Sequence, residues 1–447
     1  MSAPRRLFGT DGIRGNADSD LTPDLVRDIG RAVGLAASNG VIRKAQQPRI
    51  VIGRDTRMSG PKVQDAFVEG ATSVGADVCV GGVLPTAAVA YLTTLLGFDA
   101  GVVVSASHNP ADDNGIKLFG PGGWKLSTEQ ESSIEVLIAD GEGSDATTGS
   151  VSDLADASVA YVTHLCAVAP HDLQGMRVVA DCANGAASAV VPQAFSRLGL
   201  EAIILNANLD GSRINDGCGA LHPEVVIDAA NEHGAIGLTF DGDADRVLLS
   251  DERGHLIDGD AILAILAQQL RDEGALTNNA IVSTVMANQA LRRWCHEQDI
   301  ELVEVAVGDR YVLEGMKSRG IVLGGEQSGH VIRLDRSTTG DGILVGLAVL
   351  DAVAASGRPL ADLVPFEPFP QVLVNVRTPR RDEAEANGAI AAACEDVSRR
   401  LGDDGRVLVR PSGTEPLVRV MVEATDTKLA TDVADEVAAV VATELGA

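Results

Sequence analysis

The sequence predicts an α/β protein, with three successive α/β domains sharing one cleft and a smaller α+β domain at the C-terminus. Three observations predict it. Short β-branched runs alternate with Ala-rich amphipathic runs, the pattern of strands covered by helices. Three apolar runs stop abruptly in polar loops: VVV at SASHNP (105–110), LTF at DGDADR (241–246) and IVLGG at EQSGH (326–330). Ligands of α/β proteins sit beyond the carboxyl ends of strands. Finally, ADLVPFEPFPQVLVNV (361–376) carries three prolines and reads as a linker, after which the pattern changes.

Taken in order, the strand candidates are Arg49–Ile52, Gly101–Val104, Arg177–Ala180, Ile236–Phe240, Val247–Leu249, Ala280–Val285 and Ile321–Leu323. Each is nearly all apolar, as expected of mainly parallel sheets covered on both faces. Helices are expected at 61–75, 192–199 and 259–274. Past the linker, QVLVNVRT and RVLVRPSGTEPLVRVMVE read as strands of a small open sheet, with helices over 382–399 and 427–444. The expected domains are 1–160, 161–256, 257–367 and 368–447.

With 447 residues, 45% hydrophobic and 22% charged, the chain has an ordinary globular composition. Its cores can form without disulfides or a structural metal. The net charge of −27 argues against nucleic acid. An anionic substrate would need a local Arg/Lys cluster to overcome the global acidic field, which salt screens beyond roughly 8 Å. Cys79, Cys166, Cys182, Cys218, Cys295 and Cys394 show no C-x-x-C spacing and read as ordinary thiols. The N-terminus MSAPRRLFGTDGIRG lacks an apolar signal core, and no run of about 18 apolar residues suggests a membrane helix. The expectation is a cytoplasmic protein without a membrane partner.

In FDGDADR, Asp241, Asp243 and Asp245 stand at alternate positions just past a strand. Carboxylates so close repel one another unless a cation neutralises them, and oxygen-only ligands suit a hard cation such as Mg²⁺. A calcium hand is rejected. Arg246 occupies the sixth position, where that loop needs Gly, and strand-like residues flank it on both sides.

RPSGTEPLVR (410–419) combines Arg410, Ser412, Gly413, Thr414 and Arg419. Gly lets backbone N–H groups face an anion, the hydroxyls add donors, and Arg forks two bonds to a phosphate. GGEQSGH (324–330) offers Glu326, Ser328 and His330 for sugar hydroxyls or proton transfer. GTDGIRG (9–15) and GRDTRMSG (53–60) could each hold an anion or form an Arg–Asp structural turn. Lys117, in NGIKLF, follows the serine loop closely.

SASHNP presents Ser105, Ser107 and His108, a nucleophile with a polar helper. There is no G-x-S-x-G elbow for a hydrolase and no Walker A sequence for ATP. A serine attacking phosphorus needs a metal and positive charge. The aspartate loop and the arginine loops offer both.

The six motifs GTDGIRG, GRDTRMSG, SASHNP, DGDADR, GGEQSGH and RPSGTEP stand in the order found in the alpha-D-phosphohexomutases, and the chain resembles that superfamily from end to end. The resemblance implies three related α/β domains with mixed sheets plus a smaller C-terminal α+β domain, arranged around a central cleft. Ser107 would be the phosphorylated serine. Asp241, Asp243 and Asp245 would bind Mg²⁺ together with an oxygen of that phosphate. Arg246 would contact the transferring phosphoryl, with Arg14, His108 and Lys117 around the phosphoserine. Lys117 and His330 are the general acid/base candidates. Glu326, Ser328 and Gly308 would contact the sugar. Arg410, Ser412, Gly413, Thr414 and Arg419 would hold the non-reacting phosphate.

The implied partner is a small sugar phosphate. VGDRYV (307–312), GTDGIRG and Gln327 look like the glucosamine-phosphate branch. That implies interconversion of glucosamine 6-phosphate and glucosamine 1-phosphate through glucosamine 1,6-bisphosphate, feeding UDP-N-acetylglucosamine and cell-wall precursor synthesis. Glucose or mannose phosphates are the alternative. The last domain would move so that the intermediate can turn. Monomer and homodimer both remain open.

Overall fold

The computed structural model describes residues 6–9, 11–141, 148–412 and 415–446. Its first sheet has six strands in the order Ile13–Asn16, Asp113–Phe119, Ala100–Val104, Arg49–Arg54, Asp77–Val83 and Val151–Asp153. The first two junctions are antiparallel and the other three parallel. Val102, Val103 and Val104 are completely buried, which anchors the strand that ends in the serine loop. Helices Pro23–Asn39 and Gly60–Ser73 cover this sheet. They pack closely because a Cβ at Gly70 would lie 1.9 Å from the Arg27 carbonyl oxygen. Thr22 caps the first of them through the Leu25 N–H, with Pro23 at its first position.

The second sheet runs Leu256–Ile257, Val247–Ser250, Ile236–Phe240, Arg177–Asp181, Glu201–Leu205. The third runs Glu301–Val305, Ala280–Thr284, Leu323–Gly325, Val331–Arg333. One local arrangement recurs in all three sheets. A strand pairs in parallel on one side, ends in a motif loop, and returns antiparallel on the other side. Ala100–Val104 does so through SASHNP, Ile236–Phe240 through DGDADR, and Leu323–Gly325 through EQSGH. The sheets are thus mixed, as the resemblance implies: parallel pairs stand beside antiparallel ones because the motif loops are hairpin turns, and a hairpin requires an antiparallel pair.

Several element boundaries shift, and two of the shifts have a visible cause. The strand expected at Ile321–Leu323 spans Leu323–Gly325. The Ile321 N–H is taken by the Met316 carbonyl of the preceding helix end, and the Val322 N–H by the Thr277 hydroxyl. The helix expected from 382 starts at Gly388, because Asn387 accepts from the Ala389 and Ile390 N–H groups and caps it there.

The chain divides into two compact units, residues 1–286 with 302–364, and residues 287–301 with 365–447. The second has an antiparallel sheet, Gln371–Arg377, Leu417–Ala424, Gly405–Pro411. Its buried Val418, Val420 and Val422 pack with Ala434, Val437 and Val441 of helix Thr427–Leu445. The six cysteines are free thiols. Among the described residues no helix is long and apolar enough to cross a membrane.

Candidate active site

Ser105 and Ser107 leave the same buried strand but do different work. The Ser105 hydroxyl donates to Asp55 Oδ2 at 2.6 Å and accepts the Ser107 N–H at 2.9 Å, so it is spent inside the scaffold. Ser107 adopts a left-handed backbone, φ 55°. Its hydroxyl donates to Asp241 Oδ2 at 2.5 Å and lies 3.2 Å from His108 Nδ1.

Asp241 belongs to the second hairpin loop. Asp241, Asp243 and Asp245 are buried, and each offers an oxygen within 4.8 Å of the others. The two loops approach closely because position 242 is glycine. A Cβ there would stand 2.5 Å from the Ser107 carbonyl oxygen. Burial, with the charges of Asp245 and Asp243, pushes the Asp241 carboxyl up to about 8. Among the described residues, Asp243 Oδ1 and Asp245 Oδ1 are buried without a hydrogen-bond partner. Oxygen-only donors with unsatisfied lone pairs and clustered negative charge fit a hard divalent cation such as Mg²⁺.

Lys117 stands beside these carboxylates. Its Nζ lies 2.7 Å from Asp243 Oδ2, 3.0 Å from Asp245 Oδ2 and 2.8 Å from Asp11 Oδ2. Burial alone would lower its affinity for the proton. Asp11, Asp243 and Asp245 more than offset that and hold the ammonium well above the ordinary lysine range.

A cleft of about 410 Å³ opens in front of the loops, lined by Arg14, His108, Arg246, Gly308, Glu326 and His330 among others. Burial, then the Arg246 and Arg14 charges, push His108 down to about 4, so it is a neutral imidazole. For His330, burial is more than offset by Asp245 and Asp309, which raise its affinity for the proton. Its Nε2 is buried with no hydrogen-bond partner among the described residues, as is Arg246 Nε. The Gly308 N–H donates to Glu326 Oε1 at 3.0 Å. Ser328, on the same hairpin turn as Glu326, is exposed and outside the cleft lining.

Several residues that complete this site were not singled out for a role by sequence reasoning. Asp11 accepts from Arg14 Nη2 at 2.5 Å and from Lys125 Nζ at 2.6 Å. Lys125 also donates to Asp309, and Thr86 donates to Asp243 Oδ2. Asp11 and Asp309 lie inside the quoted stretches GTDGIRG and VGDRYV, which was the available signal.

In the second unit, Arg410 and Arg419 face each other directly across an antiparallel pair. Like charges so placed repel unless an anion lies between them. Burial, then the Arg419 charge, lower the Arg410 affinity for the proton. The Ser412 hydroxyl accepts the Glu415 N–H at 3.3 Å. Gly413 and Thr414 lie outside the described residues.

A serine paired with a cation-ready carboxylate at the mouth of repeated α/β hairpins defines a phosphoryl-transfer class of protein. Four consecutive segments match the phosphoglucomutase/phosphomannomutase family. Its alpha/beta/alpha domain I matches residues 5–144, domain II 158–254 and domain III 258–369, and its C-terminal domain matches 373–440. The chain belongs to this family. Within it, the chain is similar to proteins named phosphoglucosamine mutase. That of Streptomyces griseus subsp. griseus is 48% identical over 99% of this chain and 100% of its own. That of Carboxydothermus hydrogenoformans is 46% identical over 98% and 99%. Among solved structures, a phosphoglucomutase/phosphomannomutase family protein from Burkholderia thailandensis superposes with a TM-score of 0.82 at 26% identity, covering 97% of each chain. The Aspergillus fumigatus N-acetylphosphoglucosamine mutase, solved with GlcNAc-6P and magnesium, shares the fold at 20% identity and a TM-score of 0.68, covering 100% of this chain and 97% of its own.

Proposed function

We propose that this chain acts as a phosphoglucosamine mutase, interconverting glucosamine 6-phosphate and glucosamine 1-phosphate through phospho-Ser107 and glucosamine 1,6-bisphosphate. The observation that carries the chemistry is the Ser107 hydroxyl 2.5 Å from Asp241 in the carboxylate loop. The choice of sugar rests on the names of relatives 44–49% identical over nearly the whole chain.

When bound by Asp241, Asp243 and Asp245, Mg²⁺ supplies Lewis-acid charge to the phosphoryl oxygens. The sugar O1 bonds to phosphorus as the Ser107 Oγ–P bond breaks, and Oγ leaves with the electron pair. Arg246 and Arg14 face the cleft and balance charge on the phosphoryl group, with neutral His108 as a hydrogen-bonding neighbour. Lys117, tied to three carboxylates, serves as a fixed cation. We assign proton transfer to His330: it takes the O1 proton in the first half-reaction. After the bisphosphate turns, Ser107 Oγ attacks the other phosphorus and His330 returns the proton to O6. Glu326 and Gly308, both in the cleft lining, orient the sugar. Arg410, Ser412, Gly413, Thr414 and Arg419 hold the phosphate that is not reacting. On this reading residues 1–160, 161–256, 257–367 and 368–447 are the four working domains, and the enzyme works in the cytoplasm.

Ser107→Ala tests the reading in a coupled assay with glucosamine 6-phosphate. Turnover is expected to fall at least ~10³-fold, as for loss of a nucleophile. Substantial residual activity would sink it.

A further inference from the structure

We propose that Arg57 and Asn215 are positioning residues for the nucleophile, clamping the carbonyl groups of the serine loop so that Ser107 keeps its left-handed backbone and its hydroxyl faces Asp241. This deepens the reading of Ser107 as the phosphoryl carrier and rests on it.

Arg57 is completely buried. A guanidinium has five N–H donors in a rigid fork, and here all five are used. Nε donates to Asp55 Oδ2 at 2.9 Å. Nη1 donates to the Asp113 carbonyl at 2.8 Å and to that of Pro110. Nη2 donates to the carbonyls of Ser107 at 2.9 Å and Asn109 at 2.8 Å. Asp55 in turn accepts the Ser105 hydroxyl and the Arg57 N–H.

Asn215 reaches the same two carbonyls from a loop of the second α/β sheet. Its Nδ2 donates to Ser107 O at 2.9 Å and to Asn109 O at 3.0 Å. Its own backbone is left-handed, φ 59°, and its N–H is fixed on the Ala183 carbonyl at 2.9 Å. The carbonyls of Ser107 and Asn109 therefore each accept two bonds, one from each clamp arm. A non-glycine residue at positive φ persists only where its surroundings over-determine it, and these bonds do that for Ser107. Neither clamp residue lines the cleft, so both act through the loop.

The test uses R57K and N215D in the full chain. Lysine cannot reproduce the fork. The aspartate keeps the shape of Asn215 but turns an acceptor toward two acceptors. kcat, KM and thermal midpoint are measured on whichever of glucosamine, glucose or mannose 6-phosphate the unaltered chain turns over best, so a wrong sugar assignment shows separately. The expected result is kcat down by about 10²-fold with KM within about threefold, as for a misplaced reacting group. Wild-type kcat in N215D would overturn the clamp, and so would activity lost only in proportion to unfolded protein. Should R57K fail to fold, N215D decides alone. A crystal structure of N215D with Ser107 still at positive φ would overturn the clamp without reference to activity.

Discussion

The Ser107 hydroxyl donates to Asp241 Oδ2 at 2.5 Å across 134 residues of chain. Nucleophile and cation site therefore share a carboxylate. The contact exists because two copies of the same hairpin arrangement, in two sheets, turn their loops toward each other. Glycine at 242 sets how near they come.

Gly242→Ala should separate the loops. The new Cβ would meet the Ser107 carbonyl oxygen at 2.5 Å, and a backbone atom cannot rotate away. Turnover is expected to fall about 10²-fold, with stability reduced by about 1–3 kcal/mol. Steady-state kinetics and urea unfolding check both. Unchanged kcat would show that the loops need not touch.

Lys117→Met removes the cation between two buried carboxylates, Asp243 and Asp245, and the partly exposed Asp11. Metal-free protein should lose about 3–5 kcal/mol, the cost of stranding buried charge. Saturating Mg²⁺ should restore much of it, since the ion supplies the missing positive charge. Thermal melts with and without Mg²⁺ make the comparison. An equal loss in both conditions would contradict the charge-balancing role.

Asp341 predicts a pH dependence. Its Oδ1 accepts the Leu344 N–H at 3.0 Å, and its Oδ2 accepts the Tyr161 hydroxyl at 2.7 Å. Burial outweighs both bonds and pushes the carboxyl up from 3.8 to about 6. The folded state thus binds the proton more tightly than the unfolded chain. The stabilisation is complete below about pH 3.8 and is lost as pH rises toward about 6. Two pKa units correspond to about 3 kcal/mol. Asp341→Asn keeps a cap acceptor and should flatten that slope relative to the unaltered chain. Parallel stability curves for the two between pH 4 and 7 would refute it.

Much of the site was legible in the sequence because its motifs interrupt strands. VVV, LTF and IVLGG each break into a polar loop, and all three loops proved to be hairpin turns. The antiparallel return was legible only through the family resemblance, because a buried apolar strand reads the same in either direction. GRDTRMSG was ambiguous between an anion loop and a structural turn. Arg57 resolves it as structural, since its partners other than Asp55 are backbone carbonyls about 50 residues away, which no side-chain pattern records. Asn215 sits in an ordinary Asn/Asp/Gly loop, and its partner carbonyls are 106 and 108 residues distant. The Lys125–Asp309 contact spans 184 residues. The sequence showed which groups could do chemistry more readily than which groups hold them.

The most direct test of the account is kcat/KM of the purified chain, with Mg²⁺, on glucosamine 6-phosphate, glucose 6-phosphate and mannose 6-phosphate in parallel. The account predicts that glucosamine 6-phosphate is preferred by at least about tenfold, some 1.4 kcal/mol of transition-state discrimination. Equal or better use of the glucose or mannose phosphate would contradict it.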